Sequence, residues 1–295
     1  MSAARMTRGT TRRPTMARRT AGFGLIELMI AMVLGLIVMG AAFAVFMSNQ
    51  NTFNANEGLN RIQESARVAF ELMSRDIRAA GGSACSNMST VEVTNDESRA
   101  FRDEPLRGTA GSLTVVSGED TAYRVIGSTS SSVTLDPLQI ADAGEAFEGG
   151  NLLLLCNARK TFVVEANTVT TTTVNHTALS DGYDPTDDEF APPAAVMLAR
   201  FRNVRWFVQP NLRPGGGSSL FVSRNGAAAE EVAEGVQNVA FEYRRAGATN
   251  YTSAPASWND VVAVRITLTL TGQNVDGQAL TRTASNVVSM RSRTL

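Results

Sequence analysis

A chain of 295 residues with 43% hydrophobic and 19% charged side chains has the composition of a folded protein with one or two domains, which excludes a disordered chain. The formal net charge is −1, but residues 1–22 hold six arginines and no acid, so their removal takes the charge to −7 and argues against a broad nucleic-acid surface. One histidine, two cysteines and no Cys-x-x-Cys give no pattern for a metal centre of the zinc type.

Residues 28–47 are twenty positions without a charge. At the rise of an α-helix they span about 30 Å, a bilayer core, so the sequence predicts a membrane-spanning helix over 23–47. The basic flank holds its start on the cytoplasmic side and places the C-terminal bulk in the periplasm or outside. Glu27 stands near the start of the run, where burial in hydrocarbon costs about 3 kcal/mol unless a partner neutralises it. A cut after Gly22 would free an ammonium on Phe23 and leave Glu27 as the fifth residue, so one subunit's amine could meet another's carboxylate.

The stretch Gly22-Phe23-Gly24-Leu25-Ile26-Glu27, followed by these apolar residues, resembles the processing site of type IV pilins and type II secretion pseudopilins. The resemblance implies that prepilin peptidase removes a leader at 1–22, that Phe23 is N-methylated, and that Glu27 guides docking into a helical fibre. Two other readings use the same residues. A secretory signal would be cut at Ala42-Phe43-Ala44, but the apolar run exceeds the roughly 7–15 residues of such a signal, contains an acid and continues past Ala44. A plain signal anchor would let Glu27 snorkel to the headgroups. Met6 and Met16 lie inside the leader, so Met1, Met6 and Met16 all stand as possible starts.

Beyond residue 47 the period changes. Leu59, Ile62, Ala66, Ala69 or Phe70, Met73 and Ile77 recur at three- and four-residue spacing, the pattern of a helix with one face on a core. No proline lies between Phe23 and Gly81, which predicts one helix over 23–81, with 23–47 in the membrane and 48–81 amphipathic. Asn49-Gln50-Asn51 and Gly58 are its weak points, and Gly81-Gly82 end it. Glu64 with Arg67, Glu71 with Arg75, and Asp76 are expected as helix-surface ion pairs. The run Arg75-Asp76-Ile77-Arg78-Ala79-Ala80-Gly81, with Cys85 soon after, resembles the helix end of PilW-type minor pilins.

Cys85 and Cys156 are compatible with one disulfide in an oxidising compartment, or with two unpaired buried thiols. A bridge closing about 70 residues stabilises by about 4 kcal/mol in the chain-entropy model. From residue 112 onward, Val-, Leu-, Ile- and Thr-rich runs separated by Gly, Ser, Asp and Asn predict strands. They are 113–116, 123–126, 133–135, 152–156, 162–165, 169–174, 196–201, 204–208, 220–222, 236–243, 261–271 and 279–288, the strand at 261–271 packing on the helix. Leu152–Cys156, and Val204 to Val208 with the runs ending at Val222 and Tyr243, also resemble PilW proteins, although that family's Leu-Tyr-Arg strand appears as Leu220-Phe221-Val222-Ser223-Arg224. The expected fold is α+β and pilin-like, a long N-terminal helix packed on an antiparallel β-sheet domain over 82–295.

His176 lacks a nucleophile-and-acid grouping in its neighbourhood and reads as a surface histidine, so catalysis is not expected. Asp181, Asp184 and Asp187 form an acidic loop that could hold Ca²⁺, yet the spacing fits no EF-hand and reads as a solvated loop. Trp206 is expected in the core and Trp258, in a loop, on a partner surface. The PilW resemblance implies a structural subunit of a pilus tip or priming complex. Its partners would be prepilin peptidase, the major pilin, other minor pilins, the inner-membrane assembly platform and a tip adhesin, in support of adhesion and twitching motility. The alternatives are the pseudopilin J component of a type II secretion system and a membrane-anchored, calcium-dependent binding module.

Overall fold

The computed structural model describes Gly22 and residues 24–86, 89–179, 183–185, 190, 195–213, 216–275 and 278–293, with nothing said of the side chains at 273–275 and 278. Helix α1 is Leu25–Ala79, and α2 is Asp96–Asp103. The strands are β1 Thr90–Val91, β2 Leu106–Gly108, β3 Ser112–Thr129, β4 Ser132–Leu135, β5 Leu152–Cys156, β6 Lys160–Val169, β7 Thr173–His176, β8 Val196–Pro210, β9 Ser218–Arg224, β10 Glu230–Glu234, β11 Val236–Arg245, β12 Val261–Val275 and β13 Gln278–Ser289. The chain divides into two compact units, one through Phe53 and one from Asn54, and α1 enters both.

α1 stops where its sequence stops favouring helix. Gly81 adopts φ +68°, a conformation that costs a side-chain-bearing residue about 1 kcal/mol or more, and its N–H leaves the helix to meet the Val116 carbonyl at 2.9 Å. Within the second unit the helix buries Ile62, Ala66, Ala69, Met73 and Ile77, the three- and four-residue stripe read from the sequence. Burial of Met73 or Ile77 alone is worth about 2 kcal/mol.

The strands build two cores. Six of them close on themselves in the order β3, β8, β5, β6, β7, β4 and back to β3, each neighbouring pair antiparallel. A closed barrel leaves none of these six with a free edge. Val125, Val133, Leu135, Leu153, Leu155, Phe162, Val164, Val174, Val196 and Leu198 form one core with Phe147, Tyr183 and Phe190. The second core joins the α1 stripe to the ends of β3 and β8, to β9 and β10, and to a three-stranded antiparallel sheet in the order β11-β12-β13. A smaller cluster sits under α2, where Phe101 meets Val116, Leu154, Val163 and Phe201. The four consecutive leucines of β5 therefore serve two sides, Leu153 and Leu155 the barrel core and Leu152 and Leu154 the cluster under α2.

β3 and β8 serve both large cores. Leu113 and Val115 of β3 and Val204 and Trp206 of β8 lie in the helix-bearing core, whereas Val125, Val196 and Leu198 lie in the barrel core. The change of core falls at a register shift between Gly118 and Ala122, where β3 inserts extra residues against β8. Strands expected separately at 113–116 and 123–126 are thus one, as are 196–201 and 204–208. The strand expected at 169–174 is instead broken by the turn at 170–172 that joins the end of β6 to the start of β7, closed by the Thr170 N–H on the Thr173 carbonyl at 2.8 Å.

Asp76 corrects the expectation of a helix-surface ion pair. It is 3% exposed and reaches across to β8, where Arg202 Nη2 donates to Oδ1 at 2.7 Å and Trp206 Nε1 donates to Oδ2 at 2.9 Å. Burial pushes its carboxyl above the ordinary range, with Arg202 first and then the Trp206 hydrogen bond pulling the other way. Arg75 likewise pairs with Asp120 of β3 rather than with Glu71.

Candidate functional site

Helix α1 begins on the Gly24 carbonyl, which accepts the N–H of Glu27 at 3.0 Å and of Leu28 at 3.2 Å. Glu27 therefore lies in the first turn, where the positive end of the helix dipole favours a carboxylate. Residues 24–50 are all exposed, with Leu25 at 80% and Met39 at 73%. Between Glu27 and Glu57 the sequence has no charge, so the first unit presents an apolar helix face on every side with one acid at its start. Such a surface has no stable place in water and is long and apolar enough to cross a membrane, where its backbone bonds are all made internally. Gly22 is exposed; Phe23, on the far side of the expected cleavage bond, lies outside the described residues.

The other expected sites fare differently. His176 is not a surface residue: it is 1% exposed, on the same face of β7 as the core residue Val174. Its Nδ1 is 2.8 Å from the Thr177 carbonyl oxygen, which only accepts, so Nδ1 carries the proton. Nε2 is buried and has no hydrogen-bond partner among the described residues. Burial pushes the imidazole pKa down, partly offset by the Thr177 bond. The signal that sequence reading passed over is the i, i+2 alternation of Val174 and His176.

Asp184 is exposed, while Asp181 and Asp187 lie outside the described residues. Among the described residues no three His, Cys, Asp or Glu side chains converge as metal ligands. Cys85 and Cys156 form a disulfide, which ties the segment after α1 to the end of β5. Trp206 is fully buried. Trp258, expected on a partner surface, packs edge-on against Tyr243 with ring centroids 4.8 Å apart and joins the helix-bearing core. Its neighbour Tyr243 is buried enough to lift the phenol well above its ordinary pKa.

Residues 17–43 match the family model described as the prokaryotic N-terminal methylation motif. No curated protein and no solved structure matches the chain. The match covers Arg18 and Arg19, Gly22 and Phe23 on either side of the expected cleavage bond, Glu27 and the first turns of the exposed helix. The motif, the apolar helix that follows it and the antiparallel β domain behind it support a type IV pilin-like protein.

Proposed function

We propose that this chain is a minor pilin of the PilW type. Prepilin peptidase cuts between Gly22 and Phe23, Phe23 is N-methylated, and the helix holds the subunit in the inner membrane with residues 82–295 in the periplasm until assembly. Glu27 then meets the free amine of a neighbouring subunit, and the chain joins other pilins in a tip or priming complex that supports adhesion and twitching motility. Its role is structural rather than enzymatic. The observation that carries this reading is a methylation motif placed so that a lone carboxylate occupies the first turn of a helix whose residues through 50 are otherwise uncharged and all exposed.

The test is N-terminal sequencing of the mature chain together with Glu27→Ala. A chain that begins at N-methylated Phe23 and enters sheared pili fits, with Glu27→Ala still inserted in the membrane but reduced in pili by about tenfold or more, the factor for a lost charge pair of about 1.4 kcal/mol. A mature chain starting near residue 45, or wild-type protein absent from pili, overturns the reading; a type II secretion pseudopilin would show that absence together with a secretion defect on deletion.

A further inference from the structure

The register of β12 and β13 fixes which amides of β13 point away from the sheet. Met290 N–H donates to the Val262 carbonyl at 3.0 Å, and the pairing runs unbroken from Ala263↔Ser289 to Thr271↔Thr281. Alternation then gives Val288, Asn286, Ala284 and Arg282 to β12 and turns the amides of Val287, Ser285, Thr283 and Thr281 outward. Two outward groups are taken locally: the Val287 N–H donates to Asn286 Oδ1 at 2.9 Å, and the Thr281 carbonyl accepts from Arg282 Nη1 at 3.1 Å. The N–H and C=O of Thr283 and Ser285 have no partner among the described residues.

The other long edges are guarded. On the opposite side of the same sheet, Phe241 N–H donates to the Ala110 carbonyl at 3.0 Å, and Tyr243 exchanges two bonds with Thr252 at 2.7 and 3.0 Å. β10 is five residues long, bulged between Glu231 and Ala233, and its acids pair with Arg213 and Arg224. Short length, bulges and charge are the usual means of keeping a strand from accepting another chain. β13 uses almost none of them: it is twelve residues long, without proline, glycine, lysine or acid, and Arg282 is its one charge.

We propose that the open edge of β13, centred on Thr283 and Ser285, is an interaction surface that takes an extended segment of a neighbouring pilin-type subunit as a fourth strand. The chemistry specifies the occupant. Outward N–H and C=O groups repeating at every second residue are matched by another extended backbone, which approaches to about 4.8 Å. The side chains at the edge, Thr281, Thr283, Ser285 and the half-exposed Val287, are short enough to admit it. The inference rests on the filament reading above and adds the surface by which a neighbour is held.

The experiment uses the full-length, tagged chain in its host, with Thr283→Pro and Ser285→Lys. Proline at 283 deletes an N–H that β12 does not use, and lysine at 285 leaves the backbone intact while adding the charge the edge lacks. Residue-resolved hydrogen exchange should show the amides of 283 and 285 protected in isolated filaments and exchanging in detergent-solubilised protein. Each variant should fall about tenfold in filaments, as expected for one or two lost backbone bonds. Wild-type chain present in filaments with 283 and 285 exchanging as fast as in detergent overturns the strand addition and leaves the filament reading standing. Wild-type chain absent from filaments overturns both. Should either variant fail to fold, exchange in the wild-type filaments decides alone.

Discussion

Asp76 gives both carboxylate oxygens to donors on β8, so its neighbours hold it in place while its burial disfavours its charge. Removing it strands Arg202, 16% exposed, and the buried Trp206 N–H. Asp76→Ala should therefore lower stability by about 3–5 kcal/mol, measured as the shift in urea unfolding of the detergent-solubilised chain followed by tryptophan fluorescence. His176 predicts a pH effect. Its pKa is lowered by burial, so the unfolded chain binds the proton more readily; the stabilisation is complete above the ordinary imidazole value of about 6.5 and is lost as pH falls through the lowered one. Asp76 has the opposite sign, because a raised carboxyl pKa gives stability that is complete below the ordinary carboxylate range and is lost as pH rises through the raised value. Unfolding midpoints taken from pH 7 down to pH 5 should fall in the wild type, and His176→Gln should flatten or reverse that fall by removing the imidazole term and leaving Asp76.

At the scale of elements, the long helix is the best case of pattern translating into structure. Its apolar stripe, its lack of proline and its glycine stop were all visible, and α1 spans Leu25–Ala79 against an expectation of 23–81. Gly58, which looked like a flaw, is buried. A Cβ on Gly272 of β12 would stand 3.1 Å from Ile62 Cδ1 and 3.2 Å from the Gly58 carbonyl, so two glycines let helix and strand touch. Gly272→Val should destabilise by about 1–3 kcal/mol through this overpacking, and Gly272→Ala by less, in the same urea assay. α2 escaped sequence reading because it is short and mostly charged; its signal was local, Asn95 and Ser98 exchanging backbone bonds as a capping box. The joining of predicted strands into β3 and β8 was hidden for a different reason. Polar residues at 117–121 and 202–203 look like turns, and only the long-range register between these strands keeps them extended. Asp76 was misread on the same ground, since the partner that buries it lies 126 residues away in Arg202.

For the whole molecule, the sequence made plain an anchor followed by a β-rich head, because both the apolar run and the methylation motif are local patterns. It could not show that the head holds two cores, since barrel closure is decided by the pairing of β3 with β8, whose partners lie 71 (Val125↔Val196) to 95 (Ser112↔Phe207) residues apart in the chain. That shared pair sets how the head comes apart. Neither half owns a complete set of strands, so loosening one strips the other of β3 and β8, and no intermediate with a single intact half has a boundary to form at. Scanning calorimetry of the detergent-solubilised chain should accordingly record one heat-absorption peak for the head, its calorimetric and van't Hoff enthalpies agreeing, whereas two resolved peaks would mean that the halves melt as separate bodies.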